Sequence, residues 1–195
     1  MDGVFSMNVY DFDKTIYHGD SSVHFWIYCI KRNPLILILL PIQAINFILI
    51  QLKITENKYL FFSFLKFFKS DSIVSDFWDK HEENLCDWYL KKKQNTDVIV
   101  SASPKFLIQE IARRLGVDCI ASEVSFENGK CLSKNCKGQQ KVVRFREHYP
   151  TAQINECYGD SNSDRFIMEL AKEAYFVENL STKGVRMNQF FPENK

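Results

Sequence analysis

The 195-residue sequence lacks most of the features that place a chain quickly. Its six cysteines (Cys29, Cys86, Cys119, Cys131, Cys136 and Cys157) include no C-x-x-C pair, and no histidines stand at ligand spacing, which argues against a structural zinc site. The four histidines are scattered and read as surface or packing residues. Neither charge is in excess: 25 basic and 24 acidic side chains give a net charge of +1, so the electrostatic footprint of a nucleic-acid-binding protein is missing. The run Lys91-Lys92-Lys93 reads as a solvated helix end. No basic segment precedes an apolar stretch at the N-terminus, so no secretory signal is expected, and a reduced, cytoplasmic protein follows. No internal repeat or low-complexity linker interrupts the chain. The length and an apolar fraction of 46% suit one full-sized domain, or a core domain carrying a smaller insertion.

What is present begins with Val9-Tyr10-Asp11-Phe12-Asp13-Lys14-Thr15-Ile16. A short apolar run ending in two carboxylates and a hydroxyl reads as a buried strand that delivers Asp11 and Asp13 to its C-terminal tip, where open α/β sheets bind ligands. Neighbouring carboxylates repel, so the pair implies a metal cation, a shared proton or plain solvation.

The next seventy residues change style. Asp20-Ser21-Ser22 can cap a helix with apolar positions at Val23, Trp26, Ile27 and Ile30, ended by Lys31-Arg32-Asn33-Pro34. Residues 35–52 read LILILLPIQAINFILIQL, almost the length of a membrane span, with Lys31, Arg32 and Lys53 at its flanks. Pro41 and the amides Gln43, Asn46 and Gln51 interrupt the run. A buried helical hairpin or a helix lying in the bilayer interface is therefore preferred over a span. Residues 57–69 continue in helical style with many aromatics, and any exposed remainder among them would mark a lipid or partner surface. Ser72 opens another amphipathic helix that includes Ile73, Phe77, Trp78, Leu85 and Trp88.

At Asp97 strand character returns. Val98-Ile99-Val100 fits a parallel strand buried on both faces, and it ends in Ser101-Ala102-Ser103-Pro104. A helix through Phe106, Leu107, Ile111 and Leu115 follows, with Ser103 as its expected cap and Gly116 at its end. Small hydroxyl residues at a helix N-terminus suit either a phosphate cradle or an ordinary cap. Residues 119–132 read as a strand and hairpin with Asn128-Gly129 as a two-residue turn. Lys137-Gly138-Gln139-Gln140-Lys141 opens a helix through Val142, Val143 and Phe145, and Lys141 in the first turn opposes the helix dipole, a placement explained by an anion to bind. Ile154–Tyr158 forms another strand leading into Gly159-Asp160-Ser161-Asn162-Ser163-Asp164, with a helix expected from about Asn162. Ala174–Val177 supplies a last strand.

Four strand ends thus gather Asp11, Asp13 and Thr15, then Ser101, then Lys141, then Asp160 and Asp164. Hard oxygen ligands around one anion site call for magnesium. The ordered set DFDKT at 11–15, VSASP at 100–104, Lys141 in KGQQK and GDSNSD at 159–164 resembles the haloacid dehalogenase superfamily of phosphohydrolases. The helical content between the first two motifs resembles the inserted cap of its phosphoserine phosphatase-like branch. The resemblance implies an α/β fold, a three-layer Rossmann-like parallel sheet core with an inserted all-helical cap: residues 1–17 and 89–195 form the core and 18–88 the cap. It further implies that Asp11 is the nucleophile and Asp13 the general acid and base. Thr15, Ser101, Ala102 and Lys141 would hold the phosphoryl group. Mg²⁺ would be bound by the Asp11 carboxylate, the Asp13 backbone carbonyl and Asp160, with Asp164 in support. A dehalogenase has no need of Asp13, and Ile16-Tyr17 after Asp13-Lys14-Thr15 departs from the D-K-T-G-T of a P-type ATPase.

For the substrate, the stretch from KRNPLILILLP onward resembles, in hydropathy and order, the cap of the phosphatidylglycerophosphatase C class. That implies a membrane lipid phosphate, peripheral contact through 35–68 and a place at the inner face of the membrane. The alternatives are a soluble phosphatase of small metabolites such as phosphoserine, with Asp20 and Arg32 meeting an ammonium and a carboxylate, or a non-catalytic magnesium-binding partner protein. An exposed apolar surface on 35–68 favours the lipid; complete burial favours the soluble ester.

Overall fold

The computed structural model describes residues 6–52, 54, 59–181 and 184–190. Its centre is a six-stranded sheet in the order β3-β2-β1-β4-β5-β6. The strands are β1 (Ser6–Tyr10), β2 (Val98–Pro104), β3 (Asp118–Ser122), β4 (Gln153–Gly159), β5 (Ala171–Ser181) and β6 (Gly184–Gln189). The first five run parallel. The last returns antiparallel along β5, so the sheet is mixed, with an antiparallel edge that the sequence did not signal. β2 and β4 pair on opposite sides of β1. The chain order reverses there, which opens a crevice at the carboxyl ends of these three strands.

Side chains alternate between two apolar layers, as a sheet covered on both faces requires. Met7 and Val9 of β1, with Val98 and Val100 of β2, pack against Phe145 of α7 (Gln139–His148) and Ile167 of α8 (Arg165–Met168). Tyr10 and Ile99 face the other way, beneath Leu107, Ile108 and Ile111 of α6 (Lys105–Leu115). On that face the parallel register sets Tyr10 beside Tyr158 and Tyr158 beside Tyr175. Their rings stack at 5.0 and 5.1 Å.

Every described element between β1 and β2 is helical. These are α1 (Ser21–Arg32), a 3₁₀ stretch over Pro34–Leu39, α2 (Leu40–Gln51), α3 (Tyr59–Phe62), a second 3₁₀ turn over Ser63–Phe67, α4 (Ser72–His81), a third 3₁₀ turn over Glu82–Asn84 and α5 (Asp87–Lys92). Asp20 caps α1 by accepting from Val23 N at 3.0 Å. The buried face of α1 is Phe25, Tyr28 and Cys29, whereas Val23 and Ile27 of the expected apolar face are exposed. The helix expected from Ser72 to Trp88 is broken. Leu85 is extended and bridges to Tyr17, Cys86 N donates to Ile16 O at 2.9 Å, and His18 N donates to Asn84 O at 2.8 Å. Helix is given up there because the loop after β1 needs these backbone partners. No helix among the described residues is long and apolar enough to cross a membrane.

Two further expectations are corrected. β2 continues through Pro104, so Ser103 does not cap α6. The hairpin near Asn128-Gly129 has a longer loop: Ser125 N donates to Lys130 O and Val124 bridges to Cys131. Gly129 has φ +75°, and a Cβ there would lie 2.4 Å from Phe62 O, so glycine lets this loop close on α3. Lys53 and residues 55–58, which the sequence placed at the end of the apolar run and the start of the aromatic one, lie outside the described residues.

Trp78 joins the helices to the core. It is fully buried, meets Phe12 and Tyr17 edge-on at 5.8 and 5.6 Å, and donates its indole N–H to Leu107 O at 2.9 Å. Trp78→Ala should therefore cost about 3–5 kcal/mol in denaturant unfolding; a cost below about 1 kcal/mol would contradict this anchoring role.

Candidate active site

The loop after β1 is wound around one carbonyl: Phe12 O accepts from Thr15 N, Ile16 N and Tyr17 N. Phe12 is buried against Tyr17 and Trp78, whereas Asp11 and Asp13 line a cavity of about 380 Å³ at the strand ends. Lys14 closes the loop in the left-handed region, φ +59°, a strained setting for a residue with a Cβ, and its N–H donates to Tyr17 O and Gly19 O.

Lys141 is the centre of the site. It is 2% exposed, and its Nζ donates to Asp11 Oδ1 and to Asp164 Oδ1, both at 2.6 Å. Burial works against its charge, yet the two carboxylates outweigh burial and hold the ammonium well above the ordinary lysine range. Asp164 is itself fixed, its Oδ2 accepting from Ser161 N at 3.1 Å and Ser161 Oγ at 2.7 Å. It occupies the residue before α8, which is a single turn beginning at Arg165 rather than near Asn162. Gly159 makes this packing feasible, because a Cβ there would lie 2.6 Å from Asp164 Cβ.

Burial pushes Asp11 up to about 8, helped by Asp164 and opposed by Lys141. Burial and Asp164 also raise Asp160, against Lys14 and Lys141. Carboxylate oxygens of Asp11, Asp160 and Asp164 lie within 4.8 Å of one another. With Asp164 committed to Lys141 and Ser161, Asp11 and Asp160 are the pair left to hold a cation. Two hard oxygen donors beside an open cavity fit magnesium, which keeps several waters and takes few protein carboxylates. Asp13 turns its carboxylate elsewhere: Oδ1 accepts from Ser21 N at 2.6 Å and Oδ2 from Ser103 Oγ. Burial and Asp20 raise Asp13, while the Ser103 and Ser21 hydrogen bonds pull it down.

Of the residues singled out in sequence, the structure brings Asp11, Asp13, Ser101, Ala102, Lys141, Asp160 and Asp164 to one cavity, together with Asp20. Thr15 is not on its wall; it is buried, and its Oγ1 has no partner among the described residues. Arg32 is also absent from the wall, its guanidinium lying over the Tyr28 ring and donating to Tyr28 OH at 2.7 Å. Sequence reasoning missed Ser103 as a partner of Asp13, because the two stand 90 residues apart. It also missed Lys14, Lys137 and Ser163 on the cavity wall.

The family model for haloacid dehalogenase-like hydrolases matches residues 9–169. The chain is 32% identical over 83 residues to Protein CicA of Caulobacter vibrioides (strain NA1000 / CB15N), a match covering 39% of this chain. It spans only 37% of CicA's length. A protein with unknown function from Bordetella pertussis Tohama I has a similar structure, with TM-score 0.69 and 17% identity, over 88% of this chain and 89% of that one. A phosphoserine phosphohydrolase-like protein from Francisella tularensis subsp. tularensis SCHU S4 superposes with TM-score 0.55 and 16% identity, over 87% and 86%. At these identities the two structures share the fold.

Gly159→Ala tests the packing beneath Asp164. The added methyl must displace Asp164, at a cost of about 1–3 kcal/mol in denaturant unfolding. A variant as stable as wild type would show that the contact is not tight.

Proposed function

The chain belongs to the haloacid dehalogenase-like hydrolase family, and from that premise we propose that it is a magnesium-dependent phosphomonoester hydrolase working through an aspartyl-phosphate on Asp11. The observation that carries this reading is the buried Lys141, held between Asp11 and Asp164 at the head of the cavity. A cation paired with a buried carboxylate at the cavity suits a reaction in which negative charge on phosphorus must be neutralised.

Asp11 attacks phosphorus and forms an acyl phosphate while the bond to the alcohol oxygen breaks. Asp13 gives its proton to that oxygen. It then takes a proton from water as the water oxygen attacks phosphorus, which breaks the bond to Asp11 and releases inorganic phosphate. Ser21 N and Ser103 Oγ hold the Asp13 carboxyl, which is outside the Asp11, Asp160 and Asp164 cluster. Lys141 neutralises the phosphoryl oxygens, and Ser101 and Ala102 line the same cavity. Asp11 and Asp160 would hold the magnesium ion, which would supply the remaining charge neutralisation.

The substrate we propose is a lipid phosphate. Two facts support it. In the 3₁₀ stretch and α2, the side chains of Leu35, Ile38, Ile42, Ile45, Phe47 and Ile48 are exposed, Ile38 to 76% and Phe47 to 62%. Phe47 also lines the cavity, so this apolar surface runs to the mouth of the site. Lys31, Arg32, Lys66 and Lys69 are exposed nearby in sequence and suit anionic headgroups. In the aromatic stretch Phe62, Phe64 and Leu65 are buried, so the apolar surface is that of the 3₁₀ stretch and α2. A small zwitterionic ester fits less well, because Arg32 is engaged with Tyr28 outside the cavity.

Phosphate release with magnesium, measured on a lipid phosphomonoester in anionic vesicles and on a short-chain ester of the same headgroup, tests this reading. Asp11→Asn should abolish release from both, and Asp13→Asn should slow it by roughly 10²–10⁴. Ile38→Glu with Ile45→Glu should lower co-sedimentation with vesicles. Retained turnover in Asp11→Asn would refute the mechanism, and equal use of both esters would refute the lipid assignment.

A further inference from the structure

Three serines from two distant parts of the chain gather at the Asp13 carboxyl. Ser103, near the end of β2, is buried on the cavity wall, and its Oγ donates to Asp13 Oδ2. Ser21 and Ser22 open α1. Ser21 N donates to Asp13 Oδ1 at 2.6 Å, Ser22 Oγ meets Ser103 Oγ at 3.1 Å, and Ser21 Oγ makes a longer contact with Ser103 Oγ at 3.4 Å. A hydroxyl has one hydrogen and two lone pairs. While Asp13 is ionised its Oδ2 can only accept, so Ser103 gives its hydrogen there and takes one from Ser22. Once Asp13 carries a proton the bonding inverts. A backbone N–H always donates, so Oδ1 stays an acceptor and Oδ2 is the oxygen left to carry the proton. Ser103 then accepts from Oδ2 and turns its own hydrogen to Ser22. Two hydroxyls in line thus meet Asp13 in either state with no change of backbone.

We infer that Ser103 is a positioning residue that fixes the proton-bearing oxygen of Asp13 through both proton transfers, with Ser22 as the partner that lets its hydroxyl reverse. This inference rests on the phosphomonoesterase reading, in which Asp13 first gives a proton to the leaving alcohol and then takes one from water. No proton crosses Ser103; only its O–H turns. The residue type follows from that. A fixed donor such as a lysine or a backbone N–H serves one state of the acid alone, whereas a hydroxyl serves both. Ser103 belongs to the sheet and Ser22 to α1, so the acid is aimed by the meeting of these two elements.

The test compares kcat/KM, with magnesium, for an alkyl ester and for p-nitrophenyl phosphate. The alkyl ester is n-butyl phosphate, or the lipid phosphomonoester if the short one is not turned over. An alkoxide leaves only with a proton, whereas nitrophenolate leaves without one, so the alkyl ester feels the loss of an aimed acid. In Ser103→Ala the alkyl ester should lose roughly tenfold to 10²-fold more kcat/KM than the nitrophenyl ester. A merely structural lesion lowers both alike. After an acid quench during turnover of the nitrophenyl ester, Ser103→Ala should carry more aspartyl-phosphate than wild type, because hydrolysis of the intermediate needs the same carboxylate as base. Ser103→Thr keeps the hydroxyl and should hold the wild-type ratio. Ser22→Ala, at a helix position that suits alanine, should shift the ratio the same way by less and add nothing to Ser103→Ala. It carries the test if Ser103→Ala does not fold. Equal losses for the two esters in Ser103→Ala overturn the assignment while the phosphatase reading stands. So does a threonine variant as impaired as the alanine one, or full additivity of the two serine substitutions. Wild-type protein that hydrolyses no ester refutes the phosphatase reading and this assignment with it.

Discussion

A lysine ammonium buried to 2% exposure is the constraint to which the rest of the site answers. Removing such an ion from water costs several kcal/mol, and only close partners of opposite charge offset that. Lys141 has two, Asp11 and Asp164, each at 2.6 Å. Each partner comes from a different strand end and must be delivered accurately. Asp11 follows β1, with its N–H donating to Tyr158 O of β4 at 2.8 Å, which locks the two strand tips together. Asp164 can lie close only because Gly159 has no side chain and Ser161 holds its second oxygen. Lys141 enters from the first turn of α7, where it opposes the helix dipole, and the carboxylates compensate. The same arrangement leaves more carboxylate than cation around one cavity, which makes a bound divalent ion and an incoming phosphoryl group mutually supportive.

How much of this was legible in the sequence depended on whether the determinants were local. Strands that stop abruptly in Asp, Ser or Gly announce themselves, so the tips of β1, β2 and β4 and their side chains could be read directly. Lys141 could be read because a lysine in a first helical turn is locally unfavourable. Ser103 reads locally as a helix cap, and only the meeting of β2 with the loop after β1 turns it toward Asp13. In α1 nearly every residue from Phe25 to Ile30 is apolar, so periodicity could not select Phe25, Tyr28 and Cys29 as the buried face over Val23 and Ile27. The break at Leu85 has its cause in Ile16, Tyr17 and His18, far away in sequence.

The apolar stretch shows the same limit most clearly. Read as a string, its amides are interruptions in a hydrophobic run. Folded, Gln43 and Asn46 are the residues turned inward and the aliphatic ones are turned out. That inversion links the two halves of the functional account. One face of α2 is suited to acyl chains, and the opposite face lends polar groups to the cavity in which the ester bond is broken.

Capture of the covalent intermediate tests the central claim most directly. Wild-type protein, turned over with a phosphate-labelled monoester and magnesium and quenched in acid, should carry label on the peptide containing Asp11, and Asp11→Asn should carry none. Steady phosphate release without labelled protein, or label on any other residue, would contradict the account.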